Sequence, residues 1–254
     1  MATEHLVLLL AAAVAAGWVD AVVGGGGLIQ LPALMLLGPG QPVTALATNK
    51  LASIAGTTTA AIAYTRRAKP DLQVAVPAGV LAVGCAALGA LTATAISSAL
   101  LRPIIMVVLL SVAAIVVLRP SLGRLPKPVL RTRRRIAAAV LVPGVAIAFY
   151  DGLVGPGTGT FLVLAFTALL GSDFVNASAN AKIINTGTNL GALLVFASQG
   201  HVLWTLGAAM AVGNILGAQL GARMAIARGA GFVRAVLLVV VTGMVIRLGI
   251  EQFG

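Results

Sequence analysis

Apolar residues recur along this chain in runs near 5–23, 43–64, 72–95, 103–118, 136–155, 174–198, 202–222 and 233–250, separated by glycine, proline or polar positions. About twenty such residues cross the hydrocarbon core of a bilayer as an α-helix. The pattern therefore predicts an all-α polytopic integral membrane protein with about eight long transmembrane helices. Two shorter apolar pieces, 28–37 and 161–171, each follow a glycine-rich break. As helices they reach only half way through the core, so they read as broken or re-entrant segments. The one polar stretch of any length, 119–135, contains Pro120, Pro126 and Pro128. It divides the chain into a first transmembrane repeat (1–118), a basic linker (119–135) and a second transmembrane repeat (136–254) within one membrane domain.

The two halves repeat each other. Asp20, Gly24 and Gly26 correspond to Asp151, Gly155 and Gly157 at an offset of 131; Lys50, Gly89 and Arg102 correspond to Lys182, Gly221 and Arg234 at an offset of 132. Ala-Thr-Asn-Lys at 47–50 matches Ala-Asn-Ala-Lys at 179–182, and Leu-Gly-Ala recurs at 88–90 and 220–222. Ordered matches at so constant an offset imply a duplicated ancestral unit.

Composition agrees with the pattern: 59% of the 254 residues are hydrophobic and 9% charged, with a mean hydropathy of +1.06, far from the polar coat of a soluble enzyme. The net charge of +11 would suit a nucleic-acid binder, but its placement argues otherwise. Thirteen of the 17 Lys and Arg lie in three stretches between apolar runs, 66–69, 119–135 and 223–234, where cytoplasmic loops collect positive charge. Keeping all three stretches on one side requires the short pieces to count as traverses. Each repeat then crosses five times, the second is inverted relative to the first, and both termini lie outside. A plain duplication of four spans with misplaced arginines is the alternative. The N-terminus has no basic region before its apolar stretch, so it reads as the first span.

Few ionisable groups lie inside the runs, which makes the paired ones informative. Lys50 and Lys182 sit too deep for easy snorkelling, and an intramembrane charge must find a partner or water. Near them are Asn49, Asn180, Asn185 and Asn189; positions 182, 185, 186 and 189 share one helix face. A polar stripe headed by a lysine, present twice, suits the wall of an anion site. The competing reading is that the lysines pair with Asp20 and Asp151 to lock helices, with Asn and Thr, Thr57 to Thr59 above all, as interhelical glue.

The breaks at Gly24 to Gly27 and Gly155-Pro156-Gly157-Thr158-Gly159 free backbone N–H groups, and each precedes a helical piece whose positive dipole end can face an anion. Gly25, Gly26, Gln30, Gly157 and Thr158 join the candidate site on that ground. Gly84, Gly89, Gly217 and Gly221 are expected to serve close helix packing. Asp20 and Asp151 each precede a break by four residues and either take up a proton or balance a lysine; the sequence leaves both open. His5, His201 and Trp204 suit the interface, Trp18 suits packing, and lone Cys85 permits no intrachain disulfide. No enzyme motif, metal spacing or cofactor fingerprint occurs.

The glycine break followed by Leu-Ile-Gln-Leu-Pro, Ala-Thr-Asn-Lys at 47–50, Gly-Ala-x-Leu-Gly-Ala-Arg at 217–223 and the duplicated unit together resemble the TauE/SafE sulfite exporter family, also called the toluene sulfonate uptake permease family. The resemblance covers essentially the whole chain. It implies a multi-pass transporter of the bacterial inner membrane for small sulfur-containing anions such as sulfite, sulfoacetate or other organosulfonates. Its partners would be that anion and the lipid bilayer, not nucleic acid, with homo-oligomerisation left open. A passive anion channel, or a permease for another small anion such as a carboxylate, remains the alternative.

The charge distribution generates a direct topology test. Engineered cysteines at positions 68, 122 and 229 should all label from the cytoplasmic side; labelling of 229 from the face opposite 122 would restore the plain duplication.

Overall fold

The computed structural model describes residues 2–118 and 131–253, all helix and connecting turns without a strand. Most of the expected linker, including Arg119, Arg124 and Lys127, lies outside the described residues. The helices are α1 (Thr3–Val23), α2 (Gly27–Leu37), α3 (Pro42–Thr65), α4 (Leu72–Ala95) and α5 (Ser98–Leu118). They continue with α6 (Arg133–Leu153), α7 (Thr158–Leu170), α8 (Phe174–Ser198), α9 (Trp204–Gly229) and α10 (230–253).

Local chemistry sets these boundaries. Pro42 opens α3, Asp173 caps α8 by accepting from the Val175 and Asn176 amides at 2.9 and 3.0 Å, and Gly171 ends α7 at a φ of 64°. Thr132 accepts the Arg135 amide, so Arg133 to Arg135 form the first turn of α6 rather than the end of a linker. Within α6, Pro143 removes a donor and the helix widens to π geometry over Val142–Ile147. A second correction concerns 223–234, expected as a loop. It is helical and bends at Gly229 (φ 69°, ψ −165°), a conformation reserved for glycine, while the exposed Arg223 and Arg228 leave the helical backbone intact.

Among the described residues α1, α4, α6 and α9 are long and apolar enough to cross a membrane. The expected spans at 43–64 and 174–198 are present as α3 and α8, of 24 and 25 residues, but their Thr, Ser, Asn and Lys keep them below that apolarity. Helices α2 and α7 are the two short pieces, at 11 and 13 residues.

The repeats do not coincide with the bundles in space. Helices α1 and α3 of the first half pack on α9 of the second, and α6 and α8 of the second half pack on α4 of the first. Each half thus exchanges its fourth helix, counting the short one. One bundle comprises α1, α2, α3 and α9, the other α4, α6, α7 and α8. Paired hydrogen bonds secure the exchange at equivalent positions: the Leu203 amide donates to Thr48 Oγ1 at 3.3 Å, and the Asp71 amide donates to Asn180 Oδ1 at 2.8 Å. The bundles meet chiefly where α3 packs on α8.

Small residues permit the close helix approach that replaces hydrophobic association in lipid. A Cβ on Gly217 or Gly221 would strike the α1 backbone at Val14 or Trp18, one on Gly89 or Gly152 the α6 or α4 backbone, and one on Gly191 the α4 backbone at Val83. Gly84 departs from its expected packing role, since an added Cβ there meets nothing within 4 Å and the residue is exposed. Trp18 stacks edge-on against Phe232 at 6.1 Å, whereas Trp204 is exposed.

Alanine substitution should separate these positions. Gly152→Ala and Gly191→Ala should each lower stability by about 1–3 kcal/mol through overpacking, while Gly84→Ala should raise it by about 0.5–1 kcal/mol through helix propensity. Thermal unfolding in detergent reads all three, and a destabilised Gly84→Ala would refute the assignment.

Candidate functional site between the two bundles

Two lysines that the sequence buries in apolar helices find their counter-ions across the bundle boundary. Lys50 on α3 lies with its Nζ 2.9 Å from Asp151 Oδ2 on α6, both side chains 3% exposed or less. The contact is an ion pair without hydrogen-bond alignment, since that oxygen has no hydrogen-bond donor. Thr158 Oγ1 donates to the other carboxylate oxygen at 2.7 Å, and also reaches the Gly155 carbonyl at 2.7 Å. Lys182 on α8 donates from Nζ to Asp20 Oδ2 and to the Asp20 carbonyl, both at 2.6 Å, and Thr57 Oγ1 lies 3.4 Å from the same Oδ2. The pairs are equivalent under the repeat yet unequal in exposure: the Asp20 side chain is 16% exposed, the Asp151 side chain 3%.

The breaks meet between the pairs. Gly24 (φ 77°) packs against the backbone of Gly159 and Thr160, and Gly27 stands opposite Pro156, where an added Cβ would approach to 3.4 Å. At Gly24 both the positive φ and the crossing backbone require glycine. Thr160 Oγ1 donates to the Val23 carbonyl at 2.6 Å, tying α7 to the end of α1. In the first turns that follow, the amides of Leu28, Ile29 and Gln30 return to Gly25 and Gly26 carbonyls, and those of Thr158 and Phe161 to Gly155 and Gly157. The Gly27 and Gly159 amides have no backbone acceptor, as first-turn groups do not.

These elements line a small polar cleft of about 20 Å³, room for about one water. Lys50, Asn49, Asp20 and Asp151 line it with Asn185 and Asn189 from α8, and Gly157 and Thr158 contribute from the second break. Asn49 Oδ1 is buried there without a donor. Asn189 Nδ2 donates to the Asn185 carbonyl at 2.8 Å, and Asn185 Oδ1 accepts from Thr188 at 3.1 Å.

Other sequence candidates lie elsewhere. Asn180 is occupied by the Asp71 amide, away from the cleft. Gln30 is buried beneath α9, where its Oε1 accepts from Asn214 Nδ2. Gly25 and Gly26 support the break instead of lining the cleft: a Cβ on Gly26 would come within 2.6 Å of the Ala16 carbonyl oxygen. Lys182 reaches Asp20 without lining the cleft itself.

Ser53 and Thr57, which the sequence sets near Lys50, and Gly24, Gly27, Gly155 and Gly159 of the two breaks also line the cleft, though sequence reasoning does not single them out as site residues. The signal was available, because the 132-residue offset carries Asn185 onto Ser53 and Asn189 onto Thr57.

Comparison with known proteins places this architecture. The family model described as sulfite exporter TauE/SafE matches residues 9–248. A protein from a Sinorhizobium species, described as a "probable membrane transporter protein", is 38% identical over 248 residues, covering 98% of this chain and 94% of its own. Escherichia coli YfcA, with the same description, is 35% identical over 97% of this chain and 90% of its own. A "probable membrane transporter protein" of Haemophilus influenzae is 32% identical over 98% and 96% respectively. No solved structure matches.

The buried pair allows packing and chemistry to be separated. Lys50→Met alone strands the Asp151 carboxylate and should cost about 3–5 kcal/mol, whereas Lys50→Met with Asp151→Leu should recover most of that loss. Unfolding midpoints of the two variants check this, and a double variant as unstable as the single would sink it.

Proposed function

We propose that this chain, which belongs to the TauE/SafE sulfite exporter family, works as a secondary transporter that binds small sulfur-containing anions, sulfite or organosulfonates, in the cleft between its bundles. Membership makes it a membrane transporter; substrate and coupling are the proposal. The observation that carries it is the crossed pair of buried ion pairs beside two helix starts. A sulfonate or sulfite presents three oxygens, and the cleft offers the Lys50 ammonium, amides such as Asn49, Asn185 and Asn189, and the Gly27 and Gly159 N–H groups.

The aspartates supply the coupling. With both carboxylates ionised, each lysine is already neutralised by its partner. An anion entering the cleft competes with Asp151 for Lys50, and a proton taken up by a carboxylate releases its lysine to the anion. Proton and anion therefore favour each other's binding, as linkage requires. Asp20 is the more accessible carboxylate. Because the ion pairs bridge the two bundles, loading the cleft loosens the bridge, and rocking of one bundle on the other then exposes the site alternately.

Ten traverses with both termini outside, in a bacterial inner membrane, complete the reading. Export of an anion runs down the inside-negative potential, and import must overcome about 2.3 kcal/mol per charge at 100 mV.

Proteoliposome transport tests the proposal. Sulfite and sulfoacetate should bind more tightly than carboxylates or zwitterionic taurine, and acidifying the compartment that holds the anion should accelerate its exit. Lys50→Gln should abolish binding, Lys182→Gln, which leaves the Asp20 carboxylate unneutralised beside the cleft, should weaken it, and Asp20→Asn or Asp151→Asn should remove the response to the gradient. Folded lysine variants that transport normally would remove the site. A wild type indifferent to the gradient would remove the coupling.

A further inference from the structure

Beyond the cleft, an open groove of about 800 Å³ lies between the C-terminal end of α3 and α9. Arg66 and Arg67, just past α3, line it together with Arg223 from α9. One turn deeper on α3 its wall is apolar at Ile62 and Ala63, with Thr59 and Gln219 beyond them, and Ile226 and Ala227 line it past Arg223 on α9. The groove shares no lining residue with the polar cleft.

The charge here is unbalanced. The ion pairs among the described residues are Lys50–Asp151, Lys182–Asp20 and Arg131–Asp71, and none involves these arginines. Three exposed arginines line one groove with no acidic partner among the described residues, which favours an anion from outside the chain. The apolar wall says which kind. Ile62 is 48% exposed one turn below the arginines, so surface suited to hydrocarbon adjoins surface suited to phosphate.

We propose that this groove is a binding site for an anionic phospholipid, its phosphate among Arg66, Arg67 and Arg223 and its acyl chains along Ile62 and Ala63. Inorganic phosphate would satisfy the charges and leave the wall bare; a zwitterionic lipid would cover the wall and leave the charges in excess. Basic pockets between transmembrane helices recognise lipid headgroups by this combination. The site does not depend on what the cleft transports.

The test uses the purified full-length protein in mixed micelles doped with phosphatidylglycerol, phosphatidylcholine or inorganic phosphate, read by thermal unfolding and by retained lipid. Phosphatidylglycerol should raise the midpoint and co-purify, and the other two should do neither. Combined Arg66→Gln, Arg67→Gln and Arg223→Gln should weaken that binding about a hundred-fold. Removing exposed charges that have no acidic partner leaves the unliganded fold intact. Ala63→Trp with Ala227→Trp, which fills the groove and keeps its charges, should also abolish the effect, whereas Arg102→Gln, in a separate pocket, should not. Equal stabilisation by inorganic phosphate would make it a free-anion site. A full phosphatidylglycerol effect in the triple or the filled variant would reduce it to general surface charge. Either result overturns the proposal.

Discussion

A charge in a low-dielectric interior has to be matched, and the match here is made between bundles and not within them. Lys50 cannot be neutralised by Asp20 on its own side, because Asp20 already holds Lys182, and Asp151 is held by Lys50. Breaking either pair strands a buried ion, at a cost of about 3–5 kcal/mol. The pairs therefore fix how the breaks face each other, how α3 lies on α8, and where polar side chains can point without meeting lipid. Around them the small residues act as spacing elements: Gly24 against Gly159, Gly152 against α4 and Gly217 against α1 bring backbones close enough for the ion pairs to form.

The exchange of the fourth helix gives the duplication a mechanical meaning. In a simple tandem repeat each half would close on itself and the boundary between halves would be the only interface. Here α4 and α9 have changed places, so each bundle is built from both halves, while α3 and α8 carry the bundle interface. The same residues that recur in sequence recur as bonds: Thr48 and Asn180 each receive an amide from the chain entering the exchanged helix.

Much of this was legible in the sequence. Lengths and breaks were readable because apolar runs bounded by glycine are direct records of membrane thickness and backbone geometry. Lys50, Lys182, Asp20 and Asp151 stood out because charge inside such runs is costly, although two pairings satisfied that cost equally well. What one-dimensional reading could not supply was direction. Asn180 sits in the same run as Asn185 and Asn189, yet its amide bonds to the chain before α4. Gln30 follows the first break and turns toward Asn214 on α9, a residue 184 positions away. Side chains spaced for one helix face still divide between cleft and support according to which neighbour packs there. The bend at Gly229 was hidden by arginines that looked like a loop.

The exchanged helices also bear on how the chain is made. Synthesis proceeds from the N-terminus, and domains ordinarily close as units while the rest is still being produced. Neither bundle here can do so. The bundle of α1, α2 and α3 waits for α9, and α4 waits for α6 to α8, so Lys50 enters the membrane about a hundred residues before Asp151 exists. During that interval an unneutralised ammonium must remain hydrated or be held by the insertion machinery. The polarity of α3, which keeps it below the apolarity of an independent span, suits a helix that is seated late, when its counter-charge arrives, instead of partitioning into lipid on its own.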